Sequence, residues 1–214
     1  MRPISVTVGP LAAAVVNNIA TSQTPGAAGA LTLNGSLVKS GVAYMDSPRR
    51  VLITTTDTTH TFTITGTTPT GSVISESFLV TGGATASQLD YSTVTKVTIS
   101  GAATAAVQVG TNGIASSPWV RLDEWADSSV GVQCDVSGTV NYTVQSTFDD
   151  PNSPTNPVPM SAVNWIPTND TNAVGATASI QTNFLFAPTF VRILLSSGTG
   201  TVTATIAQYN VTNR

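Results

Sequence analysis

Apolar residues alternate with hydroxyl residues along much of this chain, with the period of two that a β-strand imposes. Thr61-Phe62-Thr63-Ile64-Thr65 puts Phe62 and Ile64 on one face and three Thr on the other. Gly66 to Gly71, containing Pro69, reads as the turn, and Val73 to Thr81 as the return strand with Ile74, Phe78 and Val80 inward. Glu76 falls on that apolar face, and an inward charge predicts a strand near a sheet edge. The cleanest alternation starts at Val130. Val130, Val132, Cys134 and Val136 share one face; after Ser137-Gly138, so do Val140, Tyr142, Val144 and Phe148. Ser179–Leu185, Phe190–Leu195 and Thr201–Tyr209 read as further strands, and Leu31 to Val38 as a hairpin turning at Asn34-Gly35. Leu11–Ile19 admits two helical turns.

Turn signals every 8–12 residues predict antiparallel sheets with hairpin connections, in a sandwich or jelly roll. A strand, a Ser-Gly turn and an alternating strand recur around Ser100-Gly101, Ser137-Gly138 and Ser197-Gly198. The expected fold is all-β, an antiparallel β-sandwich or jelly-roll-like arrangement in two domains. Residues 1–29 form an extended N-terminal arm, 30–117 a first β domain and 118–214 a second. The boundary is placed after Gly110-Thr111-Asn112-Gly113, near Ser117-Pro118-Trp119.

Composition strengthens the β reading. Charged residues are only 9% of the 214, with two Lys and two Glu, while 36 Thr and 22 Ser make up about a quarter. Lys and Glu populate exposed helical surface, whereas β-branched Thr and Val suit a pleated one. The net charge of −3 disfavours a chain-wide nucleic-acid surface. One His and one Cys exclude a clustered Cys/His zinc site and an intrachain disulfide framework. No signal-peptide pattern opens the chain, and no apolar run reaches the roughly 20 residues of a membrane span. No catalytic or cofactor-binding residue is assigned.

The remaining candidates are weighed against plain structural roles. Asp149-Asp150 and Asp170 read as turn residues rather than Ca²⁺ ligands. Asp123, Glu124 and Asp127 read as a solvated surface rather than a carboxylate pair for glycoside hydrolysis. Cys134 reads as a small core residue and His60 as an exposed strand-end residue. Trp119, Trp125 and Trp165 are core anchors or interface hot spots. Ile4, Val6, Val8 and Leu11, on the arm, are candidate interface residues alongside the tryptophans.

Met1-Arg2-Pro3-Ile4-Ser5-Val6-Thr7-Val8-Gly9-Pro10, Ser117-Pro118-Trp119-Val120-Arg121-Leu122-Asp123, Gly138 through Pro151 and Gly198 through Gln208 together resemble small virion structural proteins of tailed bacteriophages. That resemblance implies a non-catalytic particle component. The preferred expectation is a capsid decoration (cement) protein on the phage head surface, assembled in the host cytoplasm as a homotrimer. It would bridge the major capsid protein lattice without direct nucleic-acid or membrane contact. A tail, collar or head–tail connector component is the alternative. A carbohydrate-binding sandwich of a host-recognition fibre, stacking sugars on the tryptophans, is the second.

Overall fold

The computed structural model describes residues 3–122 and 129–208. The order begins with β1 (Ile4–Val8), β2 (Val15–Gln23), two-residue β3 (Gly29–Ala30) and β4 (Val38–Lys39), then the long β5 (Val42–Thr55). Next come β6 (Thr61–Thr67), β7 (Val73–Leu79), the longest strand β8 (Gly83–Ile99) and β9 (Val107–Thr111). The rest are β10 (Ala115–Ser116), β11 (Val120–Arg121), β12 (Val130–Ser137), β13 (Val140–Thr147), β14 (Ile166–Pro167), β15 (Ile180–Phe184), β16 (Phe190–Gly198) and β17 (Thr201–Gln208). Among the described residues every pairing is antiparallel, and the only helical pieces are two single 3-10 turns. The expected all-β fold is present. Leu11–Ile19 is not helical: β2 occupies its second half.

The chain divides into two compact units, but not where the sequence suggested. Ala12–Gly113 is one, and Met1–Leu11 with Ile114–Arg214 is the other. The expected arm over 1–29 is therefore split. β1 pairs with β17 from Ile4↔Ile206 to Val8↔Val202, and β2 pairs with β9 in the other unit. The boundary precedes 117/118 because Ala115 and Ser116 already pair with Leu195 and Leu194.

In the 12–113 unit the strand order is β2-β9-β5-β8-β6-β7, with β3 on β8 and β4 on β5. Ile19, Val51, Ile53, Phe62, Ile64, Val97 and Val109 are completely buried. The β6–β7 hairpin forms as expected, and β7 ends the strand order with Glu76 inward. Between Arg50 and Leu52, Ser87-Gln88-Leu89 of β8 oppose the single Val51 of β5, a bulge of two extra residues that breaks the ladder. The orphaned groups find side chains. Val51 N donates to Ser87 Oγ, while Gln88 N (2.7 Å) and Leu89 N (3.0 Å) donate to the Glu76 carboxylate. Burial pushes the Glu76 carboxyl above its ordinary value, against the pull of those two N–H groups.

The Asn34-Gly35 hairpin does not form. Asn34 Oδ1 accepts from Thr21 N and Oγ1, and Asn34 N and Gly35 N both donate to the Ile19 carbonyl. A Cβ on Gly35 would collide with the Asn18 carbonyl, so this glycine permits close backbone approach. The turn falls instead at Ser40-Gly41, both at positive φ, between β4 and β5.

The other unit is a two-sheet sandwich. One sheet runs β1-β17-β12-β15; the other runs β10-β16-β13-β14, with β11 also on β16. Val8, Val132, Cys134, Val202, Ala204 and Ile206 from the first meet Tyr142, Val144, Val191, Ile193 and Leu195 from the second in one core. The inward faces of β12, of β17 and of β13 as far as Val144 match the sequence reading, whereas Phe148, read on the same inward phase, is exposed. The connections do not match it. Ser137-Gly138 joins β12 to β13 and Ser197-Gly198 precedes β17, and each carries the chain from one sheet to the other rather than closing a hairpin. Gly200 N bonds the Thr139 carbonyl, and a Cβ on Gly198, at φ 106°, would strike that same oxygen. The two corners therefore lock together.

Candidate functional site

β13 and β15 lie on opposite sheets of the sandwich and both end beside β14. Along β13 the inward phase passes through Val140, Tyr142 and Val144 to Ser146, and beyond the strand to Phe148. Phe184 closes β15, 3% exposed, and Leu185 and Phe186 follow it. Ile166 and Pro167 lie on β13 opposite Ser146 and Gln145, and Thr168 N continues the attachment to the Val144 carbonyl. Between them lies an apolar groove of about 460 Å³. That volume falls within the range of ligand clefts. Phe186 stands 5.6 Å from both Phe148 and Phe184, centroid to centroid.

The exposure of this lining distinguishes it from the core. Leu185 is 82% exposed, Phe148 67%, Ile166 55% and Phe186 38%. Four large apolar side chains are thus exposed together in one cleft rather than scattered singly over the surface. Asp170 is the one ionisable side chain among the lining residues. The Thr182 hydroxyl and the Asn172 N–H hold its carboxyl below the ordinary carboxylate value, so it is anionic at neutral pH. Sequence reasoning put Phe148 inside and missed the groove. The available signal was Phe184-Leu185-Phe186, an apolar run that outlasts its strand.

Trp119 and Trp165 form a second cluster, on the outer face of the β16–β13 sheet. Their centroids are 4.9 Å apart, edge to face, and Trp119 meets Phe190 at 5.9 Å. The Arg192 guanidinium lies 4.1 Å over the Trp165 ring, and its Nε donates to Gln145 Oε1. Arg192 is only 4% exposed. These tryptophans anchor the loop 148–165, which carries Pro151, Pro154, Pro157 and Pro159, onto the sheet through stacking and cation–π attraction. Trp125 and the acidic group Asp123, Glu124 and Asp127 lie outside the described residues.

The other candidates settle into structural positions. Val8 and Leu11 are 3% exposed, and the partly buried Ile4 and Val6 pack against the same core, so all four candidate interface residues of the arm turn toward this unit's own interior. The reason is the register of β1 on β17, which turns its apolar phase inward. Asp149 caps Asn164 N, while Asp150 caps Asn152 N and pairs with Arg121 Nη1 at 2.9 Å. Among the described residues no three His, Cys, Asp or Glu side chains gather as metal ligands. Cys134 is fully buried, and burial pushes its thiol up to about 11.

His60 is more constrained than a strand-end residue. Its Nδ1 lies 2.8 Å from Oδ2 of the buried Asp57, which also accepts from Thr104 N; Asp57 Oδ1 accepts from Thr59 N and Oγ1. The Thr104 and Thr59 N–H groups, with His60, hold the Asp57 carboxyl far below its ordinary 3.8. A depressed carboxyl stabilises the fold above the unfolded-state value, and that contribution disappears as pH falls through the folded-state one. Asp57→Asn should therefore lower the melting temperature at pH 7 and converge on the parent in acid. Parallel melting curves across pH 2–7 would contradict this.

Both units carry cross-strand hydroxyl ladders on their outward faces. Ser5 pairs with Thr205 and Thr7 with Thr203, each at 3.0 Å, on β1–β17. Thr63–Ser77 (2.7 Å) and Thr65–Ser75 (3.3 Å) repeat the pattern on β6–β7, and Thr67–Thr93 (2.7 Å) extends it to β8. On each face the hydroxyls already bond one another, and one charge lies among them: Asp135 opposite Thr203, and Lys96 opposite Thr65. No protein-family model matches the chain, and no curated protein shows significant similarity to it.

Proposed function

We propose that this protein is a non-enzymatic structural subunit of a tailed-bacteriophage particle, a decoration protein that bridges major capsid protein subunits on the head surface. The observation that carries the reading is the pair of self-satisfied hydroxyl faces, one on each unit. Covering an ionised surface costs several kcal/mol per desolvated charge. Covering hydroxyls that keep their own partners costs far less. A 9% charge fraction spread over such ladders suits a subunit that spends its life against neighbours. With residues 4–8 committed to a sheet, the bridging contacts fall to sheet faces, edges and the groove rather than to an arm.

The test is the protein's position and number in the particle. Electron cryomicroscopy should find many copies distributed over the shell, and sedimentation of the purified protein should give a homotrimer. Particles lacking it should lose resistance to heat. A single ring at a vertex, with shell stability unchanged in its absence, would overturn the reading in favour of a tail, collar or connector role.

A further inference from the structure

We propose that the groove between β14 and β15 receives an extended peptide segment, carrying alternating apolar side chains and one Lys or Arg, that adds as a new strand to the free edge of β15. The inference holds wherever the protein resides.

Three observations meet there. First, β15 ends its sheet, and Ile180-Gln181-Thr182-Asn183-Phe184 contains no Lys, Pro or other device that blocks edge pairing. The facing edge, β14, is only two residues long and includes Pro167, which has no N–H to offer. Strand addition therefore favours β15. Second, a strand laid on β15 sends every second side chain to one face. On the groove side it meets Leu185, Phe148, Ile166 and Phe186, which are exposed and apolar. Main-chain bonds and alternate side-chain pockets are together the recognition mode of β-augmentation.

Third, the charge selects the partner. Asp170 is the one ionisable group of the lining, and it sits beside Thr182 of β15. A carboxylate at the end of an apolar groove attracts an ammonium or guanidinium and rejects another acid. Two copies of this chain meeting groove to groove would bring two such carboxylates together, in a protein already at net charge −3. A basic, extended peptide satisfies all three features.

Selection of a displayed library of short random peptides on the immobilised full-length protein tests this. Enriched sequences should alternate apolar and polar residues and carry a Lys or Arg at a constant place. A synthetic copy of the best one should slow amide exchange across Ile180–Phe184. Its affinity should fall by roughly tenfold or more in Leu185→Asp, and Asp170→Asn should erase the preference for the basic residue. Leu185 is too exposed for its substitution to unfold the protein, and melting curves of both variants provide the control. The proposal is overturned by a library with no enrichment, or by binding indifferent to Leu185→Asp. It is equally overturned by self-association that Leu185→Asp abolishes, which would make a second copy the occupant, or by glycan binding that depends on Phe148 and Phe186.

Discussion

A chain beginning at residue 12 should lose the cooperative unfolding transition of the sandwich unit. The deletion removes β1, five paired residues that cover one edge of β17, and with them Val8 and Leu11 from the core. Each fully buried aliphatic side chain stabilises by about 1.5–3 kcal/mol, and Ile4 and Val6 add a partial share. The loss approaches the roughly 5–15 kcal/mol that holds a whole domain folded. The bared edge of β17 then offers unpaired backbone to other chains, so aggregation should accompany unfolding. All three tryptophans belong to this unit and none to residues 12–113. Tryptophan fluorescence therefore reports its melting alone. Leu11→Ala should show a graded version of the same effect, about 2–5 kcal/mol. A truncated protein whose fluorescence melts like the parent would restore residues 1–11 to the status of a dispensable arm.

That expectation reverses the one drawn from the N-terminal segment as a string of letters. Small residues, Gly and Pro made residues 1–29 look unattached because nothing nearby in sequence could pair with them. The partners of Ser5 and Thr7 are 200 and 196 positions away. The same limit explains the other differences. Alternation tells which face each residue of β12, β13 and β17 occupies, because a strand has only two. It does not tell which strand lies alongside, so Ser137-Gly138 read as a hairpin when it crosses between sheets. The β6–β7 hairpin was legible because its partners are neighbours in the chain. The groove was not, because Phe148 keeps the phase of a core residue past the end of β13. Local chemistry was within reach: Asp57 and His60 stand three residues apart and are bonded.

Arg49→Ala should unfold the 12–113 unit or destabilise it by several kcal/mol. Arg49 is 1% exposed, the largest fully buried side chain among the described residues. Its Nη1 bonds both oxygens of Asp46, at 3.0 and 3.1 Å, and Nη2 donates to the Ala12 carbonyl at 2.9 Å. Nε and Nη2 both donate to the Asn112 carbonyl. Asp46 returns to the same place, accepting from Ala12 N at 2.8 Å. Residues 12 and 112 lie at the two ends of this unit, so one guanidinium staples its first turn of chain to its last. Removing one member of a buried pair typically costs 3–5 kcal/mol, because the acceptors left behind have lost their water as well as their partner. The lower part of that range applies, since the Asp46 side chain is 30% exposed and solvent screens it. Arg49→Lys should rescue little. A single ammonium is a point charge and cannot reach three acceptors arranged around a planar fork. Arg49→Met should fill the volume yet bring no donor to either carbonyl, and so should fall near the alanine variant. The pH dependence has a sign. Partial burial pushes the Asp46 carboxyl up, but the Ala12 N–H and Arg49 outweigh it and leave it below its ordinary 3.8. The carboxylate's share therefore stabilises the fold above that value and is lost as pH drops below it, so the gap between parent and variant should narrow in acid to what the carbonyl bonds contribute. Calorimetry, reading the transition that tryptophan does not see, would measure this. A variant within 1 kcal/mol of the parent at neutral pH would show that the staple holds nothing that packing does not already hold.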